Sequence, residues 1–199
     1  NFIKNGADPS EIAVLYRANF QSRALEEAML SREVPYQVLG VKFFERKEVR
    51  DVLSFVRAAL NRDSLSDIER IINIPPRGIG KVTVARIFSG MLDQLSPAHA
   101  EKWRVFNLIL DDIQKKSATE KTSALVKFVI KRTGLEELLK SGAEEDLERL
   151  ENIRELAPLA TKYDFLPPMD GVMKLLEDAA LDSDQDEITE DKPAVKLMT

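Results

Sequence analysis

The sequence predicts a mainly α-helical protein with a small α/β part, and three observations predict it. A β-prone apolar run, a helical segment and a second β-prone run follow one another between Glu11 and Leu39, the order of a strand-helix-strand crossover in a parallel sheet. From Glu45 onward the apolar residues recur at helical spacing as far as roughly residue 180. Ala194-Val-Lys-Leu-Met-Thr199 then returns to a strand pattern, so a long helical insertion interrupts the α/β part.

The first run, Glu11-Ile-Ala-Val-Leu-Tyr16, has the pattern of a strand buried on both faces. Phe20 to Arg32 reads as a helix, with Leu25, Ala28 and Met29 on one side, Arg23, Glu26 and Glu27 toward solvent, and Asn19 as its N-cap. After Pro35 comes the second strand, Tyr36-Gln-Val-Leu39. Ligands of open α/β sheets lie beyond the carboxyl ends of the strands, which selects Arg17 and Asn19 after the first strand and Lys42 after the second. A helix cap for Asn19 and a surface salt bridge for Arg17 stay open as alternatives.

Glu45 to Leu60 is strongly amphipathic, with Val49, Val52, Leu53, Val56 and Leu60 along one face. Further helices are predicted over roughly 65–73, 81–92, 98–115, 120–133, 135–141, 143–162 and 169–180. Ser66, Ser117 and Ser141 each precede a Glu by three residues, the spacing of a capping box at a helix start. Trp103, Phe106, Leu110, Phe128 and Val129 have helical spacing and read as core rather than as a stacking platform. Ser183-Asp-Gln-Asp-Glu187 with Glu190-Asp191 reads as an acidic linker, without the central glycine of a calcium loop.

The composition, 44% apolar and 32% charged over 199 residues, is that of a soluble globular protein with room for a real core. No apolar run approaches the ~20 residues of a membrane span and no signal-peptide blocks open the chain, so a cytoplasmic setting without a membrane partner is expected. The absence of cysteine and the single His99 exclude disulfides, thiolate metal sites and histidine clusters, and no metal site is expected. The net charge of −5 hides an asymmetry: residues 1–90 carry 14 Lys and Arg against 11 Asp and Glu, and the remainder 15 against 23. The basic excess surrounds one stretch, Asn73-Ile-Pro-Pro-Arg-Gly-Ile-Gly-Lys-Val-Thr83.

In that stretch Pro75 and Pro76 end a helix, Gly78 and Gly80 open conformations closed to residues with a Cβ, and a new helix begins at Lys81. The unpaired amides of its first turn, the helix dipole, Arg77 and Lys81 together make a site for a phosphate. A nucleotide P-loop is excluded, because Val82 separates Gly80-Lys81 from Thr83 and Pro75 stands where a leading glycine is needed. A dinucleotide fingerprint is excluded by Thr83 in place of a third glycine and by the helix before the turn. What remains is a helix-hairpin-helix-like Gly-Ile-Gly turn suited to one phosphate of a nucleic-acid backbone, or an ordinary turn between helices.

Several blocks, in order along nearly the whole chain, resemble the UvrD, Rep and PcrA family of superfamily 1 DNA helicases. They are Ile12-Ala-Val-Leu-Tyr-Arg-Ala-Asn-Phe-Gln-Ser-Arg23, Leu25-Glu-Glu-Ala28, Val34-Pro-Tyr-Gln37, Lys42-Phe-Phe-Glu-Arg-Lys-Glu-Val-Arg-Asp51, Arg70-Ile-Ile-Asn73, Pro76-Arg-Gly-Ile-Gly80 with Thr83, Arg149-Leu-Glu-Asn-Ile-Arg-Glu-Leu156 and Val195-Lys-Leu-Met-Thr199. The resemblance implies that residues 1–62 and 190–199 belong to a partial RecA-like motor domain, 2A, and that 63–189 form the helical 2B subdomain inserted into it. It implies single-strand contacts at Arg17, Asn19 and Lys42, and duplex contacts at the turn through Arg77, Gly78, Ile79, Gly80, Lys81 and Thr83. One adjacent glycine is missing before Lys42, where many relatives have two, so the turn holding Lys42 is shorter than theirs.

The same resemblance implies a parent that unwinds DNA 3′ to 5′ in repair or replication, with ATP and magnesium as cofactors, and DNA and a first motor domain as partners. The Walker motifs of that family are absent. With a strand that ends at the last residue and no initial Met, the expectation is a fragment carrying no catalytic residues and inactive alone. A non-enzymatic DNA-binding or protein-interaction module, and the helicase part of a helicase-nuclease, are the alternatives.

Overall fold

The structure, a computed structural model, describes residues 3, 6–17, 21–39, 41–184 and 193–198. It divides into two compact units, one made of Asn1–Arg46 with Asp178–Thr199 and the other of Lys47–Glu177. The division expected from sequence at residue 62 thus differs from the packing division, which falls ahead of the amphipathic helix. No helix among the described residues is long and apolar enough to cross a membrane.

The first unit contains β1 (Ala13–Leu15), α1 (Ser22–Leu30), β2 (Tyr36–Val38) and β3 (Val195–Met198). The strands are parallel in the order β1-β3-β2. Ala13, Val14 and Leu15 stand opposite Lys196, Leu197 and Met198, and Tyr36, Gln37 and Val38 opposite Val195, Lys196 and Leu197. The strand-helix-strand crossover therefore leaves a gap between its strands that the returning strand fills. β3 is the best-buried strand, with Val195 and Leu197 at 1% and 0% exposed. β1 corrects the expectation of burial on both faces: Leu15 is 74% exposed and Ala13, on the same face, is exposed too, because among the described residues that face is left uncovered. Glu26, expected at the surface, is buried at 1% exposure.

The second unit is helical: α2 (Lys47–Leu60), α3 (Leu65–Ile71), α4 (Lys81–Phe88), α5 (Pro97–Ser117), α6 (Thr122–Thr133), α7 (Leu135–Lys140), α8 (Glu144–Ala160) and the first turns of α9 (Pro168–Asp184). α2 packs on α3, α5, α6 and α8, which is why it belongs to this unit. Its Val49, Val52, Phe55 and Val56 meet a core that includes Phe106, Leu110, Ile113, Leu125, Val129, Ile153 and Leu156, all of them buried. Two polar pairs are enclosed with them. Asn152 donates to Glu48 at 2.6 Å, and Arg70 Nε donates to Asp51 at 2.7 Å, where burial nevertheless pushes the Asp51 carboxyl above its ordinary value. Of the aromatic positions expected in the core, Phe106 is fully buried while Trp103 and Phe128 are half-buried.

None of the three capping-box serines starts a helix. Ser66 lies inside α3, whose N-cap is Ser64; Ser117 is the buried last residue of α5; Ser141 follows α7, and α8 starts after Ala143. The hydroxyls of Ser117 and Ser141 donate back to Gln114 and Leu138 carbonyls, the local bonding that serine makes at a helix end. A serine that does cap is Ser96, which accepts from the His99 amide ahead of Pro97 at the first helical position of α5.

Candidate nucleic-acid interface

The Asn73–Thr83 stretch joins α3 to α4, and its shape follows from a few side chains. Asn73 Oδ1 accepts from the amides of Arg77 at 2.7 Å and Ile79 at 3.3 Å, closing the loop on itself. Gly78 sits at φ +66°, in the left-handed region. Gly80 does not: its φ of −76° and ψ of 168° suit any residue, and a Cβ there would meet nothing within 4 Å. The expectation that both glycines are needed for their conformation is therefore corrected, because of the two only Gly78 takes a positive φ.

Ile79 points into the core at 2% exposed, Thr83 is buried at 7%, and Lys81 and Val82 face outward. No side chain caps α4, so its first amides are left for an outside acceptor. Lys102, on α5, donates to the Gly78 carbonyl at 3.1 Å and adds a second cation to the turn. The Arg77 guanidinium turns the other way. It donates to the carbonyls of Ile71, Ile74, Pro75 and Thr133 and lies 5.7 Å from the ring centroids of both Phe55 and Phe106. Burial pushes its pKa down to about 10, which leaves it charged at neutral pH.

In the first unit Arg17 is exposed just beyond β1, with its backbone amide donating to Gln21 Oε1 at 3.1 Å. Asn19 lies outside the described residues. Lys42 is 9% exposed, and its carbonyl accepts from the amides of Glu45 and Arg46 where a short 3₁₀ turn, Phe43–Glu45, begins. Behind them Arg46, 6% exposed, donates to Ser22 at 2.9 Å and stands over the Phe43 ring. Tyr16 shares this polar cluster, and burial raises its phenol above the ordinary value. Arg46, Ser22 and Lys102 were not singled out by the sequence. Arg46 lies in the charged run Glu45-Arg-Lys-Glu48, which gives no sign of its burial, and nothing local marks Lys102.

The whole chain, residues 1–199, matches the family model described as the UvrD-like helicase C-terminal domain. The chain belongs to that family. DNA helicase II of Escherichia coli (strain K12) is 31% identical over 216 residues, which cover 98% of this chain and 30% of that protein. ATP-dependent DNA helicase PcrA of Staphylococcus epidermidis (strain RP62A) is 31% identical over 98% of the chain and 29% of the relative. For PcrA of Staphylococcus aureus (strain Mu50) the identity is 30%, again over 98% and 29%. The chain thus spans under a third of the length of these curated relatives. As a UvrD-like helicase C-terminal domain it combines, among the described residues, mostly helical structure with a small three-stranded parallel sheet.

Proposed function

We propose that this UvrD-like helicase C-terminal domain is the DNA-binding 2A/2B portion of an ATP-dependent helicase that moves 3′ to 5′ and opens duplexes in repair or replication in the cytoplasm. The match over residues 1–199 carries the reading. Residues 1–62 and 190–199 are assigned to 2A and 63–189 to the inserted 2B. The chain holds no Gly-Lys-Ser/Thr loop for the phosphates of a nucleotide, so ATP and magnesium are assigned to a larger protein together with a first motor domain.

Each of the two groups of residues has its own task in this reading. Arg17, with Asn19, grips the backbone of the single strand beyond the ends of the strands, whereas Lys42, expected to share that grip, is buried at 9% exposed. The turn from Arg77 to Thr83 holds one phosphate of the duplex through backbone amides and Lys81. Neither group reads bases, so binding is indifferent to sequence and weakens steeply with salt. The test is anisotropy of labelled single-stranded and forked DNA across a salt series. Arg17→Ala is expected to lower single-strand affinity and to flatten the slope of log K against log salt by about 0.7. Wild-type single-strand affinity and an unchanged salt slope would reject Arg17 as a strand contact.

A further inference from the structure

Arg77 is the cation nearest the turn in sequence, and a cation beside such a turn is the obvious candidate to meet a phosphate. Its surroundings give it other work. The chain leaves α3 through Pro75 and Pro76, which have no N–H to offer the carbonyls behind them. The last carbonyls of a helix lack intrahelical partners and carry its negative end. Arg77 Nη1 supplies donors to Ile71 O at 3.2 Å, Ile74 O at 2.6 Å and Pro75 O at 3.1 Å. Nη2 reaches Thr133 O at 3.2 Å, the last residue of α6. One guanidinium therefore closes the ends of two helices, and the faces of Phe55 and Phe106 cover it.

We infer that Arg77 is a positioning residue: it fixes the Gly78 turn against α3, α6 and the Phe55–Phe106 pair, and does not itself touch the DNA. This rests on the reading of the turn as a duplex contact and says how that contact is held in place. To reach a phosphate the guanidinium would have to abandon carbonyls at two helix ends. Its own amide is tied to Asn73, and Ile79 two residues on is buried, so the backbone leading to the exposed amides of α4 is anchored on both sides of Gly78. A lysine keeps the charge but has three donors on one nitrogen and no planar fork, so it does not reproduce the contacts to four carbonyls.

The test uses the whole protein and begins without any substitution. With ¹⁵N-labelled arginine, the Arg77 guanidinium protons are expected to be protected from exchange in the free protein and to stay unshifted when a forked duplex is added. Arg77 signals that become protected only with duplex would overturn the proposal. Arg77→Lys and Arg77→Met are both expected to lower duplex affinity by at least about tenfold, to spare single-strand affinity, and to shift the emission of Trp103, which stacks on Phe106 at 5.6 Å. If Arg77→Lys retains wild-type duplex affinity while Arg77→Met loses it, charge alone is what matters and the proposal fails while the duplex reading stands. Wild-type protein that does not bind the duplex removes that reading, and the proposal with it.

Discussion

Phe106→Ala is expected to destabilise the helical unit by about 3–5 kcal/mol, the cost of emptying a fully buried aromatic site, and its unfolding midpoint in urea should fall accordingly. Phe106 is 0% exposed. Three neighbours depend on its ring: Trp103 stacks on it with planes 22° apart, Phe55 packs at 6.4 Å, and the Arg77 guanidinium uses its face. The loss therefore combines a cavity with the removal of one wall from a buried cation. The emission of Trp103, the single tryptophan of the chain, should shift in the native baseline before unfolding begins. A variant that unfolds at the wild-type midpoint would contradict the placement of Phe106 at the centre of this core.

Gly78→Ala is expected to have the second largest effect, and one that reaches binding. At φ +66° an L side chain is strained, by about 1–2 kcal/mol. The added Cβ would also lie 2.7 Å from Lys102 Nζ. That contact is relieved at little cost by swinging the lysine away, but the bond from Lys102 to the Gly78 carbonyl goes with it. Duplex affinity should fall while single-strand affinity is kept. Gly80→Ala is the internal control, because its backbone conformation and surroundings accept a Cβ. Equal effects of the two substitutions on melting and on duplex binding would refute this account of the turn.

These expectations mark where the sequence was legible. The helices from Lys47 to Ala160 could be placed within a few residues because their apolar positions repeat at 3.6, and the turn could be located because two prolines and two glycines punctuate it. The capping serines could not be assigned by spacing, since Ser-x-x-Glu does not tell whether the serine precedes a helix or, like Ser117, ends the one before. The roles of the two glycines differ only in φ, which the residue type does not reveal. Arg77 could be seen beside the turn but not its direction, because the groups that hold it come from α2, α5 and α6. Lys42 was chosen by its place after a strand, and its burial depends on how the following 3₁₀ turn packs. β1 carried the apolar signal of an enclosed strand, yet enclosure depends on what covers each face.

In the proposed reading the Gly78 turn and the start of α4 meet the duplex. Val82, 68% exposed in the first turn of α4, is the place to ask. A benzophenone side chain introduced there and irradiated with the protein bound to a forked DNA should form adducts on the duplex arm close to the junction. Adducts confined to the single-stranded arm, or none at saturating DNA, would contradict the claim.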